Sequence, residues 1–162
     1  MDDARPARAL RLPGIVLGAG LGGFVDGIVL HQILQWHHLL TGTEEYPATT
    51  LEDLEVNTLW DGLFHLATLL LVAAGLALLW KVRNDGRSVG SGRVLIGWAL
   101  VGWGLFNLIE GIVDHHILGI HHVRSGPNEL LYDVAFLALG AILVLAGYRL
   151  ATSERTNLQS RV

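Results

Sequence analysis

The sequence contains no cysteine and a single methionine, Met1. The missing cysteine excludes disulfides, thiolate metal sites, iron–sulfur clusters and cysteine nucleophiles, and the scarcity of methionine argues against thioether ligation of copper(I). Charged residues make up only 16% of the 162 residues, whereas soluble domains average about 25%. Eleven basic residues against fifteen acidic ones give no footprint of a nucleic-acid-binding protein. What the chain does contain is 51% hydrophobic residues and eight histidines.

The apolar residues are gathered in four long runs. A helix needs about 20 residues to cross the hydrocarbon core of a bilayer, and each run is long enough. We therefore predict an all-α integral membrane four-helix bundle in a single domain, with spans at about 12–36, 58–80, 94–117 and 130–150 and a polar tail at 151–162. A water-soluble four-helix bundle is the alternative, but it would show polar stripes that these runs lack.

The basic residues fall on one side of the predicted spans. Ten of the eleven flank the two termini or the link between the second and third spans, and only Arg124 lies on the other side. The positive-inside rule then predicts cytoplasmic termini. The first span is too long for a cleaved signal peptide, and no small-x-small site closes it, so we expect it to remain. Thr49 and Glu52 predict a capping box ahead of the second span.

Two parts of the chain repeat each other. DGIVLHQILQWHH at 26–38 and EGIVDHHILGIHH at 110–122, 84 residues apart, are identical at eight of thirteen positions. LWDGLFHL around Asp61 also resembles LYDVAFLA around Asp133, at an offset of 72 residues. We therefore predict that the bundle consists of two helical hairpins in the same membrane orientation, a parallel repeat.

The repeat carries mostly histidines and carboxylates. At about 100° per residue, Glu110, Asp114 and His121 form one stripe on an α-helix, and His115 and His122 form a second. The first span repeats both stripes. The side chains predicted to converge in the outer half of the bundle and to bind metal are Asp26, His31, His37, His38, Asp61, His65, Glu110, Asp114, His115, His121, His122 and Asp133.

This convergence indicates a metal site. Ionisable groups inside a bilayer cost several kcal/mol unless they are paired, protonated or coordinated. A divalent ion accepts neutral imidazoles and ionised carboxylates and removes the cost of burying the anions. We predict two or more metal ions, with copper or iron preferred and zinc as an alternative. A polar network without metal is the competing interpretation, and His116, on the opposite helix face, is left out of the site.

Several functions fit such a site, and the sequence does not decide whether the protein is an enzyme. The leading prediction is an oxygen-activating or oxidase-like metalloprotein, because metals with open positions bind oxygen or activate water. A non-catalytic copper carrier or assembly factor for a respiratory oxidase is the second, and it would use the outer pairs His37–His38 and His121–His122. A proton-coupled or metal-ion transporter is the third. Association of several copies of the chain stays open.

The stretches GGFVDGIVLHQILQWHH (22–38), NTLWDGLFH (57–65) and FNLIEGIVDHHILGIHHVR (106–124) resemble a bacterial family of four-span membrane proteins known as domain of unknown function 2243. The resemblance covers nearly the whole chain and supplies no activity. It implies a location in the bacterial inner membrane, with the histidine strings as the family's hallmark; the positive-inside rule then predicts that the site faces the periplasm. The resemblance also implies that family members are encoded near copper-oxidase assembly factors, which slightly favours copper.

Overall fold

The computed structural model describes residues 9–85 and 91–159, with residues 154–159 described by their backbone alone. Within these ranges the chain is helical and contains no strand. The first and third helices each continue into a seven-residue π-helical segment. In chain order the elements are α1 (Arg11–Asp26), π1 (Gly27–Ile33), α2 (Leu51–Asn84), α3 (Gly92–Glu110), π2 (Gly111–Ile117) and α4 (Glu129–Gln159).

The structure confirms four helices that are long and apolar enough to cross a membrane: Arg11–Ile33, Leu51–Asn84, Gly92–Ile117 and Glu129–Ser153. The first span was predicted to end at about 36, but its helix ends at Ile33. The second helix begins at Leu51, ahead of the predicted span at 58–80 as a capping box implies, and it continues to Asn84. The predicted polar tail at 151–162 continues α4 through Gln159, and residues 160–162 lie outside the described part.

The second helix starts with a capping box, one residue later than predicted. The hydroxyl of Thr50 accepts a hydrogen bond from the backbone N–H of Asp53, and the Asp53 carboxylate accepts one from the backbone N–H of Thr50. The prediction of Thr49 with Glu52 is therefore wrong. Thr49 instead donates from its backbone and its hydroxyl to the same Asp53 carboxylate. A box of this kind satisfies two N–H groups that would otherwise lack partners at the helix start.

Small residues hold the two central helices, α1 and α3, at close range. A Cβ atom added to Gly18 would overlap the backbone of Ala99, and one added to Gly102 would overlap the backbone of Ile15. Helix α2 packs on α1 and α4 packs on α3, so the two hairpins lie side by side. Close approach through small residues is the usual means of helix association in lipid, where the hydrophobic effect between helices is absent.

Each central helix ends in the same way. The backbone N–H of Leu34 donates to the carbonyl of Val29 at 2.8 Å, and that of Leu118 donates to Val113 at 2.8 Å. These are i→i+5 bonds, the π-helical pattern, which is rare and is often found at functional sites. The two residues after Leu34 and Leu118 also match, because Gln35 and Gly119 both have positive φ, at 49° and 60°. The repeat seen in the sequence is thus a repeat of backbone conformation.

Gln35 and Gly119, the residues with positive φ, turn the chain back towards the bundle. His37 and His38, like His121 and His122, follow this turn and lie outside any helix. The prediction of one α-helical stripe from Asp26 to His38 is therefore wrong, because the helix changes its pitch at Gly27 and ends at Ile33. The histidines still reach the bundle interior, but through a reversal of the chain.

Candidate metal centre

Two imidazoles lie stacked between the two halves of the molecule. The rings of His37 and His121 are 4.6 Å apart between centroids and are nearly parallel, at 7°. The His37 Nδ1–H donates to the carbonyl of Val123 at 2.9 Å, and the His121 Nδ1–H donates to the carbonyl of Leu39 at 3.1 Å. Each histidine is therefore held by the other half, through carbonyls that are 84 positions apart like the histidines themselves.

Two further imidazoles lie edge-on against this stacked pair. His31 is 4.4 Å from His37 between ring centroids, and His115 is 4.9 Å from His121. Their Nδ1 atoms face carboxylates on the outer helices: His31 lies 2.8 Å from Asp61 Oδ1, and His115 lies 3.2 Å from an oxygen of Asp133. The aspartates are also repeat partners. Four imidazoles are thus gathered in one buried place.

The atoms that face one another inside this group lack hydrogen bonds. In the described part of the chain, the Nε2 atoms of His31, His37 and His121 are buried without a hydrogen-bond partner. The same holds for one carboxylate oxygen of Asp26 and one of Glu110. His31 Nε2 is 3.3 Å from Asp26 Oδ2, and His121 Nε2 is 3.7 Å from Glu110 Oε1. Native structures leave few buried polar atoms unpaired, so five of them together require an explanation.

Their geometry fits cation ligation. In each of three overlapping groups, one potential ligand atom from every residue lies within 4.8 Å of the others. Together the groups make up what we call the six-residue centre: Asp26, His31, His37, Glu110, His115 and His121. Nitrogen and oxygen ligands without sulfur suit iron, zinc, manganese and copper(II).

The protonation of the stacked pair favours ligation as well. Burial, together with the neighbouring His31, lowers the pKa of His37 to about 4. Burial and the proximity of His37 hold the pKa of His121 well below its ordinary value. Both rings are therefore neutral near pH 7, and because each Nδ1–H is donated to a carbonyl, the lone pair lies on Nε2. A neutral imidazole with a free lone pair is the form that binds metal.

Asp61 and Asp133 support the centre from outside it. His38 Nδ1 is 2.7 Å from Asp61 Oδ2, and His122 Nδ1 is 2.7 Å from Asp133 Oδ2. The other oxygen of each aspartate accepts a backbone N–H as well as facing His31 or His115. A carboxylate behind a histidine fixes the orientation of the ring and raises its basicity as a ligand. His38 and His122, which are partly exposed, contact these aspartates from outside the six-residue centre.

Two other predicted ligands lie apart from these groups. His65 donates its Nδ1–H to the carbonyl of Asp61 at 2.7 Å, one turn back on the same helix, and its ring meets Phe24 edge-on at 5.8 Å. Asp114 lies on π2 and is half-buried, and it belongs to none of the three groups. His116, left out of the site by the sequence analysis, is exposed on the same segment.

The backbone groups that hold the stacked histidines were not foreseen. The carbonyls and N–H groups of Leu39 and Val123 serve both the histidines and the aspartates. The signal was their position directly after each His–His pair in the repeat. Gln32, whose amide donates to Asp61 Oδ2 at 3.2 Å, was also missed, because its repeat partner is His116 and the position looks unrelated to the site.

Comparison with known proteins gives a family but no activity. No curated protein and no solved structure matches the chain. One family model, described as a predicted membrane protein of unknown function (DUF2243), matches residues 13–154. That range includes both copies of the repeat and every residue of the six-residue centre. The chain therefore belongs to the predicted membrane protein family DUF2243.

Proposed function

We propose that the protein is a membrane metalloprotein whose six-residue centre binds two metal ions. The observation that carries the proposal is the set of five buried nitrogen and oxygen atoms that face one another without hydrogen-bond partners. Two bound cations would satisfy these atoms and offset the burial of two carboxylates. Carboxylates and histidines from facing helices are the usual means by which helical bundles build two-metal sites.

The donor set favours a redox-active metal, copper or iron, and oxidase-like or oxygen-activating chemistry. Four imidazoles and two carboxylates without sulfur are suited to both metals in their oxidised states. The proton on each Nδ1 of the stacked pair is fixed by a carbonyl, so these rings bind through a predetermined nitrogen. Burial of the centre excludes bulk water and limits side reactions. Bound metals would supply electron transfer and oxygen binding.

A copper carrier for a respiratory oxidase is the second candidate. His38 and His122 favour it, because both are partly exposed and lie directly behind the aspartates that hold His31 and His115. They could receive or deliver an ion at the periplasmic side. The carrier would bind a single ion weakly and pass it to an acceptor protein.

Metal analysis of single-histidine variants tests the proposal. The protein would be purified without a histidine tag, and its metals would be counted by mass spectrometry and examined by electron paramagnetic resonance. We expect His31→Ala and His115→Ala each to lose about half of the bound metal, because each imidazole binds one of the two ions. His116→Ala is the matched control, because His116 is next to His115 in the chain but exposed. Gel filtration in detergent would verify that all three variants fold.

The outcomes separate the candidates. Two or more tightly held redox metals per chain would support the oxidase-like protein. One weakly held copper that transfers to an acceptor would support the carrier. A metal-free protein that exchanges protons for a solute in vesicles would contradict both and favour the transporter. Equal losses from all three histidine variants would contradict the assignment of the centre.

A further inference from the structure

An apolar cavity of about 310 Å³ opens between α1, α3 and α4, beside the six-residue centre. Its walls are mainly aromatic and aliphatic. Four rings line it, together with one carboxylate and one amide: Trp36, Trp103, Tyr132, Phe136, Asp26 and Asn107. Because Asp26 belongs to the centre as well, the cavity and the six-residue centre share this side chain.

The two halves differ at a residue in the wall of this cavity. Gly22 lines the cavity, and the residue 84 positions later is Phe106. The Phe106 ring packs against Phe64 at 6.1 Å between centroids, so the equivalent region of the other half contains an aromatic side chain where the cavity has a glycine.

The cavity contains a buried amide that the repeat does not duplicate. Asn107 is only 2% exposed, and in the described part of the chain its Oδ1 has no hydrogen-bond partner. The residue 84 positions earlier is Gly23, which has no side chain to offer. A buried amide oxygen without a partner costs free energy, which a ligand with a hydrogen-bond donor would recover.

The outer rim of the cavity is aromatic and positively charged. The rings of Trp36 and Tyr132 lie 5.5 Å apart. The Arg124 guanidinium lies over both, at 5.3 Å from Trp36 and 5.6 Å from Tyr132, and it donates to the Tyr132 hydroxyl at 3.1 Å. We therefore expect planar groups with an apolar face to bind in this region.

We propose that this cavity binds the ring of a membrane-soluble quinol. The volume is at the lower end of the range for small-molecule pockets, about 300–1,000 Å³, which suits one substituted ring. The aromatic walls would contact the faces of the ring, and Asn107 Oδ1 would accept a hydrogen bond from a ring hydroxyl. A lipid acyl chain would fill the space but leave Asn107 Oδ1 unpaired. The inference rests on the proposed function in one respect, since it places a redox-active ring beside the metal centre.

Binding measurements in nanodiscs test this proposal. The protein in phosphatidylcholine nanodiscs would be titrated with a short-tailed benzoquinol and with an alkylbenzene carrying the same tail. We expect saturable binding of the quinol, at least about tenfold tighter than that of the alkylbenzene, because only the quinol can donate to the amide oxygen. Equal binding of the two compounds, or no saturable binding, would overturn the proposal.

Two variants and one control localise the binding. Ala135→Phe fills the cavity, and Asn107→Leu keeps the size of the side chain but removes the amide. We expect both to weaken quinol binding by about tenfold or more. Ala138→Phe is the matched control, because Ala138 is on the same helix and exposed but does not line the cavity. An equal effect of Ala135→Phe and Ala138→Phe would contradict the proposed location.

The titration would be run on both metal-loaded and metal-free protein. Quinol binding that persists without metal supports the cavity as a site in its own right. If the chain proves to bind no metal but still binds the quinol, the proposed function fails while this inference stands. If it binds metal but not the quinol, the reverse holds.

Discussion

The two halves of the molecule place similar side chains at the six-residue centre but different side chains around it. Asp61 and Asp133 occupy the same position, each next to one histidine of the centre and hydrogen-bonded to one outer histidine and one backbone N–H. Beyond these contacts the halves diverge. Both halves keep this arrangement, although the side chains around it differ. We therefore infer that the arrangement itself is functional.

The halves differ at two side chains that pack near the centre or line the cavity beside it. His65 of the first half corresponds to Leu137 of the second, and Gly22 corresponds to Phe106. The first difference changes what packs against the π-helical segments, since Gly27 faces His65 while Gly111 faces Leu137. The second places a glycine in the wall of the cavity and a phenylalanine at the repeated position.

The largest effect is expected at Glu110. This residue belongs to two of the three potential ligand groups, whereas His37 belongs to one. A carboxylate can bind two ions through its two oxygens, but an imidazole whose Nδ1–H is donated to a carbonyl binds one ion through Nε2. We therefore expect Glu110→Ala to lose nearly all bound metal and His37→Ala to lose about half, as measured by metal content per chain. Identical losses would show that the two ions do not share Glu110.

The supporting aspartates are expected to have the next largest effect. Asn in place of either aspartate keeps the shape but weakens the orientation of the histidine, which costs about 10- to 100-fold in metal affinity. Asp61→Asn should exceed Asp133→Asn, because Asp61 also accepts a hydrogen bond from Gln32. Competition with a chelator of known affinity measures both. Wild-type affinity in either variant would exclude a supporting role.

Much of this architecture could be predicted from the sequence, and the reasons are physical. The four spans follow from the length of the apolar runs. The repeat offsets show that Asp61 corresponds to Asp133 and that His31 corresponds to His115. Burial of ionisable groups in an apolar bundle requires that they meet one another or a cation. The sequence therefore indicated the participants of the site.

The path by which some residues reach the site could not be predicted. The stripe argument assumes about 3.6 residues per turn throughout, whereas Gly27–Ile33 is π-helical and Gln35 is left-handed. Neither feature has a strong sequence signal, since Gln seldom adopts positive φ. For the same reason the sequence did not separate His37, inside the centre, from His38, outside it.

Substitutions at the helix contacts are expected to affect stability moderately. A Cβ at Gly27 would lie 2.8 Å from His65 Nε2, and one at Gly111 would lie 2.7 Å from Leu137 Cδ2. Gly27→Ala and Gly111→Ala should each reduce the free energy of unfolding by about 1–3 kcal/mol. Thermal unfolding in detergent measures this. Gly62→Ala, which meets nothing within 4 Å on α2, should be neutral or stabilising.

The smallest effect is expected when the first half is made to resemble the second. His65→Leu introduces the residue found at the repeat position, and His65 belongs to none of the three ligand groups. We expect metal content to stay at the wild-type level. A loss of metal comparable to that of His31→Ala would show that His65 is a ligand and that the two halves are chemically unequal.

The most direct test of the centre is a crystal structure of the metallated protein with anomalous data collected at the absorption edge of its metal. We expect anomalous peaks enclosed by the Nε2 atoms of His31, His37 and His121 and by the carboxylates of Asp26 and Glu110. Peaks located elsewhere, or ordered water in hydrogen bonds with these five side chains, would contradict it.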